Sequence, residues 1–372
     1  MKLLIDCHCF DYPVPQGINT YLRGLYGSLI PKAKNIEFFF AANNIDSLIN
    51  IFGEEKNITY LKIPAKGSLL RLMSIFPSLI KENHIDIAHF QYVAPFIKNC
   101  KTVVTLHDIL FKDFPQYFPI GYRLSKGILF KYTAKRTDLL LTVSEYSKRQ
   151  IAIHYGISES KIKVTPNAII DRFANVCLSD AKNYVKKHYG IDTYILYVSR
   201  LEPRKDQFGL LKSYIKSGLF LEGVDMVIVG EESICDTRIK KLLATLSFEI
   251  SSHIHFFNGI SDDALTYLFK SAELFVYPSK AEGFGIPPLE AAVSEIPTIC
   301  NNTTAMCDFD FFKPRLIDTS NLDVLSHLMR DCIMNPPAKE ELFAIKKKVM
   351  ERYNWDRIAQ DYLEILSNIR TI

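Results

Sequence analysis

The chain lacks a decisive charge imbalance: 45 Lys and Arg stand against 41 Asp and Glu, a net charge of +4 over 372 residues. An excess that small does not mark a nucleic-acid-binding protein, and no nucleic-acid partner is expected. It also lacks any uninterrupted apolar run near the ~18–20 residues needed to span a bilayer, so membrane contact is expected to be peripheral. The opening run Met1-Lys2-Leu3-Leu4-Ile5-Asp6 is short and ends in an acid. It has neither the apolar core nor the cleavage site of a signal peptide, and a cytoplasmic protein is the expectation. There is no internal repeat and no low-complexity segment. The eight cysteines, Cys7, Cys9, Cys100, Cys177, Cys235, Cys300, Cys307 and Cys332, include no second CxxC pair. Cys7-His8-Cys9 therefore has no partner motif to complete a metal site, and reduced, buried thiols are expected.

What is present is the composition of a globular protein, 48% hydrophobic and 23% charged, in a chain longer than the ~100–200 residues of one ordinary domain. Short apolar runs rich in β-branched and aromatic residues alternate with helical patterns almost throughout. Strands are predicted at 3–5, 36–40, 85–89, 102–106, 139–143 and 162–165, with helices from about 18 and near 69–82, 119–134 and 145–155. The pattern breaks around Pro166-Asn167, where a loop-like stretch and a charged helix at 180–188 precede a second series of strands at 194–198, 226–229, 253–257, 274–277 and 298–300. This is α/β grammar with parallel, doubly wound sheets. The predicted architecture is two Rossmann-like domains facing across a cleft: 1–170, a linker at 171–192, and 193–350. A final amphipathic helix in 351–372, with Ile358, Tyr362, Ile365 and Leu366 on one side, is expected to cross back to the first domain.

Two strand ends carry chemistry. The strand at 274–277 runs into Pro278-Ser279-Lys280-Ala281-Glu282-Gly283-Phe284-Gly285-Ile286-Pro287-Pro288-Leu289-Glu290, a glycine-containing loop that opens into a helix with proline in its first turn. Such a loop is the usual ligand crevice of an open α/β sheet, and free amides at the helix start favour anions. Glu282 and Glu290 can accept hydrogen bonds from sugar or ribose hydroxyls; the plainer alternative is a structural turn with Glu290 set against the helix dipole. The strand at 194–198 ends in Arg200-Leu201-Glu202-Pro203-Arg204-Lys205-Asp206. Three cations gather there where a diphosphate would sit, the alternative being a solvated loop with Asp206 as an N-cap.

The segment from Glu282 to Glu290 resembles the E-x7-E signature of retaining glycosyltransferases, and Arg200 with Lys205 resembles their donor-phosphate pair. The nearest likeness is to glycosyltransferase family 4, of the two-Rossmann-domain GT-B architecture. Gln16-Gly17-Ile18-Asn19-Thr20-Tyr21 is similar to that family's first glycine loop, with Gln16 where a second glycine is common. Thr105-Leu106-His107-Asp108 is similar to its acceptor-side His-Asp loop, and stretches at 142–148 and 164–168 match further landmarks. Ser199 replaces the glycine often found before the arginine. The resemblance implies that Gly17, Arg200, Lys205, Glu282, Gly283, Phe284, Gly285, Ile286 and Glu290 bind the donor, and that His107, Asp108, Glu282, Arg200 and Lys205 serve catalysis. It implies a hexose transfer with retention, with mannose from GDP-mannose as first choice and UDP-sugars open, onto a growing surface-polysaccharide or lipid-linked glycan. No cofactor or metal is implied, since the nucleotide-sugar is a substrate. Asp308-Phe309-Asp310 imitates a DxD metal motif but lies outside the expected strand–loop context.

Other readings remain open at this level: a nucleotide-sugar epimerase, and a non-catalytic glycan-binding scaffold with the same fold. Arg71 beside Leu69, Leu70, Leu72, Ile75 and Phe76 suggests docking on anionic lipid at the inner face of the cytoplasmic membrane. So do Arg123, Lys126, Lys131, Lys135 and Arg136 among Tyr122, Leu124, Ile128, Leu129 and Phe130. The alternative is a core helix with a basic edge.

Overall fold

The structure, a computed structural model, describes residues 1–12, 17–65 and 67–370, and for Arg370 the backbone alone. The chain divides into two compact units, residues 1–168 together with 353–372, and residues 169–352.

The first unit is built on a parallel sheet of strands β1 (Lys2–Asp6), β2 (Glu37–Ala42), β3 (Ile58–Lys62), β4 (Ile87–Gln91), β5 (Lys101–Thr105), β6 (Leu139–Thr142) and β7 (Ile162–Val164). Their order is β3-β2-β1-β4-β5-β6-β7, so the order reverses between β1 and β4. β4 and β6 are buried along their whole length; β6 reads as a continuous apolar run for that reason, whereas β4 buries His89 and Gln91 among its apolar residues. Leu4, Ala88, Phe90, Val104, Leu106 and Leu140 join Phe76, Phe111 and Phe130 in the core.

Residues 355–370 form a helix that belongs to this unit. Ile358, Tyr362 and Leu366 are buried on it, the predicted apolar side. Trp355 at its start packs onto helix Gly17–Leu29 so closely that a Cβ on Gly24 would lie 2.0 Å from the indole. Only glycine admits that approach.

The second unit carries β8 (Tyr194–Val198), β9 (Asp225–Val229), β10 (Ile254–Phe257), β11 (Leu274–Tyr277), β12 (Thr298–Asn301) and β13 (Leu316–Ile317), all parallel, in the order β10-β9-β8-β11-β12-β13. Here the reversal falls between β8 and β11. Residues 171–192, expected as a linker, lie within this unit: helix Leu178–Tyr189 packs against helix Asp262–Ser271, and the ring of Tyr184 stacks on Tyr267 at 4.4 Å. Each sheet thus has one point where a ligand crevice is expected, outside the carboxyl ends of the two central strands.

Some expectations are corrected. Cys177, Cys235 and Cys307 are exposed rather than buried, because they sit at a helix start, in a loop and on a short turn instead of in strands. Strands β3 and β13 and helices Leu322–Met334 and Lys339–Arg352 were not predicted. Leu72, Phe76 and Phe130, grouped with the basic residues of the lipid-facing patches, point into the core instead.

Candidate active site

In the second unit the two loops that flank the strand reversal are sewn together. The loop after β8 turns through Ser199 and Arg200 into the short helical turn Pro203–Lys205, ahead of helix Gln207–Ser217. The loop after β11 leads to helix Ile286–Val293, with Pro287 and Pro288 in its first turn. The Lys280 amide donates to the Arg204 carbonyl at 2.9 Å, and the Arg204 guanidinium donates to the Ala281 carbonyl. Asp206 occupies the N-cap position with φ 54°, yet its carboxylate pairs with Lys280 Nζ at 2.8 Å rather than capping the helix. That arrangement replaces the expected N-cap by a strap between the loops.

Glu282 is the hub. Lys205 Nζ donates to its Oε1 at 2.5 Å, Tyr277 Oη donates to the same oxygen at 2.8 Å, and Arg204 reaches Oε2 at 3.4 Å. The Glu282 amide donates to Thr304 Oγ1 at 2.9 Å. Burial by itself would raise the carboxyl pKa, but the Lys205 and Arg204 charges bring it down to about 2. Glu282 is therefore an ionised acceptor near neutral pH.

Gly283, Phe284 and Gly285 are buried behind it, and Ile286 is half-buried. Gly285 has φ 100°, and a Cβ there would meet Met306 at 3.3 Å; the turn into the helix requires glycine. Phe284 packs edge-on against Phe309, centroids 6.0 Å apart.

Glu290, one helical turn on, is half-buried and pairs with Arg172 at 2.9 Å. Burial raises its pKa, opposed by the Arg172 charge. The cations divide unequally. Arg204 and Lys205 are buried against Glu282, whereas Arg200 is exposed and has no side-chain hydrogen bond or ion pair among the described residues. Arg204, Arg172, Tyr277 and Thr304 were not singled out from the sequence. Arg204 lay within the cationic run, but nothing local distinguished a cation turned onto a carboxylate from one facing solvent.

Beside these loops, at the ends of β8, β9 and β10, lies a cavity of about 260 Å³, walled by Ile234, Ile239, Leu243 and Phe257, with Glu232 and Asn258 at its polar edge. It was not legible in the sequence, because its walls come from the loop after β8, helix Thr237–Ala244 and the end of β10, which are separated along the chain.

In the first unit, Gly17 opens helix Gly17–Leu29 after β1 and is exposed; a Cβ added there meets nothing within 4 Å. Gln16 lies outside the described residues. His107 follows β5 and is buried, with its Nε2 2.8 Å from Gln91 Oε1 and its ring edge-on to Tyr21 at 5.1 Å. Burial drops its pKa to about 3. Asp108 Oδ1 accepts the Leu110 amide at 3.1 Å, at the start of the short helix Leu110–Asp113.

The remaining motifs are placed elsewhere. His8 pairs with Asp6 at 2.7 Å between the buried thiols of Cys7 and Cys9. Asp308 and Asp310 lie on successive 3-10 turns, and the Asp310 carboxylate is held by Arg352 at 2.9 Å.

The central strand ends of the second, parallel-sheet unit carry clustered cations and a buried carboxylate, at the place where open α/β sheets offer a ligand crevice. Comparison with known proteins is specific. Residues 17–172 match the model described as Glycosyltransferase Family 4, and residues 181–348 match Glycosyl transferases group 1. The O-antigen chain mannosyltransferase B of Escherichia coli is 24% identical over 378 residues, covering 96% of this chain and 97% of its own. The GDP-mannose-dependent alpha-(1-6)-phosphatidylinositol monomannoside mannosyltransferase of Mycobacterium tuberculosis is 24% identical over 240 residues, 62% of each chain. HepE of Anabaena, solved with UDP and glucose, superposes with a TM-score of 0.76 at 18% identity, over 99% of this chain and all of its own. The chain belongs to the family-4-type glycosyltransferases and is a glycosyltransferase enzyme. That sets aside the epimerase and the non-catalytic scaffold.

Proposed function

We propose that this chain is a retaining glycosyltransferase that moves mannose from GDP-mannose onto a growing surface-polysaccharide or lipid-linked glycan, without a metal ion in the step. The observation that carries the reading is the convergence of Arg200, Lys205 and the 282–290 segment at the one strand reversal of the second unit. In the transfer, an acceptor hydroxyl oxygen bonds to the anomeric carbon on the face the diphosphate leaves. The bond from that carbon to the diphosphate oxygen breaks with its electron pair leaving on the diphosphate, and the hydroxyl proton passes to that departing oxygen. Fixed positive charge at the diphosphate lowers the barrier. Arg200 is exposed for that task, and Lys205, although held by Glu282 and Tyr277, keeps a further N–H to offer. The amides of Phe284, Gly285 and Ile286 start a helix whose dipole favours the same charge. Ionised Glu282 accepts from hydroxyls of the transferred sugar, and Glu290 from the ribose. Gly17, His107 and Asp108 act from the first unit, the histidine on a substrate hydroxyl.

Two features support guanosine over uridine. Both relatives named above are called mannosyltransferases, one of them GDP-mannose-dependent. The apolar cavity near the cationic loop suits a planar base, and Glu232 at its edge can accept from the exocyclic amine that guanine has and uracil lacks. A UDP-sugar is the second reading, favoured by the likeness to HepE solved with UDP. Incubating the chain with GDP-mannose or UDP-glucose and a lipid-linked glycan, then reading the product linkage by NMR, tests the reading. Transfer only from UDP-glucose, or an inverted linkage, would overturn it.

Peripheral docking on anionic lipid belongs to the same proposal. No helix among the described residues is long and apolar enough to cross a membrane. Leu69, Leu70 and Met73 are exposed near Arg71, and Ile120, Tyr122, Leu124 and Ile128 are exposed on the basic helix Ile120–Arg136. Basic and apolar side chains exposed together suit a charged lipid surface. Failure to co-sediment with phosphatidylserine vesicles at low salt would contradict it.

A further inference from the structure

The sheet of the first unit places a connected set of polar side chains behind His107. β4 and β5 are parallel, with Gln91 in register with Thr105. Side chains alternate along a strand, so His89 and Gln91 share one face of β4, and Thr105 and His107 share the same face along β5 and its extension. Helix Gly17–Leu29 brings Tyr21 and Tyr26 over that face, and the C-terminal helix brings Tyr362; all of these side chains are buried. Buried polar groups need partners, so their protons must be arranged consistently.

The distances constrain that arrangement. Gln91 Oε1 is 2.8 Å from His107 Nε2. A carboxamide oxygen only accepts, so Nε2 of His107 carries the hydrogen. Gln91 Nε2 lies 3.3 Å from Nε2 of His89, which Thr105 Oγ1 also approaches at 2.8 Å. An amide nitrogen only donates, so His89 accepts there and holds its hydrogen on Nδ1, 2.6 Å from Tyr26 Oη and 3.2 Å from Tyr362 Oη. Reversing Gln91 would force both rings into the opposite tautomer.

We infer that Gln91 is a positioning residue that locks His107 in its Nε2–H tautomer and so presents Nδ1 as the acceptor for a substrate hydroxyl. The inference rests on the proposed reading that His107 meets substrate. Nδ1 of His107 has no hydrogen-bond partner among the described residues. Burial keeps the imidazole neutral near pH 7, with a pKa of about 3. A neutral ring whose one hydrogen is committed to Gln91 takes a hydrogen bond from a hydroxyl and gives none to the departing diphosphate. His107 thus orients the reacting sugar or acceptor and does not act as the acid. The His89–Tyr26–Tyr362 cluster fixes Gln91 from behind, which ties the tautomer to the docking of the C-terminal helix.

The test uses the full chain labelled with ¹⁵N-histidine, read by long-range ¹H–¹⁵N correlation, with His107→Ala assigning the signal. The wild-type protein is expected to show His107 with Nδ1 unprotonated and Nε2 protonated. Gln91→Leu should release the ring into a mixture of tautomers and lower kcat ~10–100-fold with little change in donor KM. Gln91→Glu should keep the Nε2–H form but favour the imidazolium, so that turnover falls as pH is lowered through the neutral range. The titratable groups facing His107 are Tyr21 and Tyr92, with ring centroids at 5.1 and 5.5 Å, and His89 through Gln91. A protonated Nδ1 in the wild type, or an unchanged single tautomer in Gln91→Leu, would overturn the inference. Normal transfer by His107→Ala would instead overturn the role of His107 itself, and the two failures are thereby separated.

Discussion

Lys205 and Glu282 form a buried ion pair, Nζ to Oε1 at 2.5 Å, joining the loop after β8 to the loop after β11. Removing one member of a buried pair strands the other charge, at a cost of about 3–5 kcal/mol. Lys205→Ala is expected near the lower figure, since Arg204 and Tyr277 still serve Glu282. Adding Glu282→Gln should cost less than the sum of the two single changes. Denaturant unfolding of the four proteins checks this, and strict additivity would show that the pair is not coupled.

Arg200 should behave oppositely. It is exposed and without a side-chain partner among the described residues, so Arg200→Ala should shift stability by less than about 0.5 kcal/mol. Transfer should nevertheless slow by ~100–1,000-fold if the guanidinium stabilises the departing diphosphate. Single-turnover kinetics beside an unfolding curve separate the two effects.

The two glycines at helix starts should also part company. Gly285→Ala forces a left-handed backbone at φ 100° and crowds Met306, so a loss of about 1–3 kcal/mol is expected. Gly17→Ala meets nothing within 4 Å, so the fold should tolerate it. A rise in donor KM in Gly17→Ala would then report close approach of the ligand to the backbone at this position.

Acid should weaken the protein in a defined window. His89 and His107 have folded-state pKa values of about 3, against an ordinary 6.5, because burial disfavours their charged forms. The unfolded chain binds those protons first, so their contribution is present above about pH 6.5 and is lost as pH falls toward 3, by up to about 1.4 kcal/mol per pH unit for each. Glu282, ordinarily near 4.5 and about 2 here, adds a loss below about pH 4.5. Glu290, raised by burial, acts in the other direction. Urea midpoints should be level above about pH 7 and fall below it, and His89→Gln should reduce the slope between about pH 6 and 5.

The sheets were legible because buried parallel strands are written as short runs such as Phe38-Phe39-Phe40 and Leu139-Leu140-Leu141, between strong helix signals. β13 was not, since the two residues Leu316–Ile317 are half-buried at an edge and leave no period to read. Glu282 was picked out by its place after a strand and before a helix together with the E-x7-E resemblance, a structural turn being the alternative. Its partners were not: whether Arg204 faces a carboxylate or solvent is decided by the Lys280–Arg204 and Lys280–Asp206 contacts, across more than seventy positions. Gln91 escaped notice for the same reason. It lies two residues past the strand predicted at 85–89, and only the neighbouring strand shows that it faces His107.

The most direct test of the central claim is titration calorimetry of the purified chain with GDP-mannose and with UDP-glucose, repeated with Arg200→Ala. Saturable binding of GDP-mannose, weaker binding of UDP-glucose and a marked loss of affinity in Arg200→Ala are the predicted results. Absence of binding by either nucleotide-sugar, or equal binding by wild type and Arg200→Ala, would contradict the account.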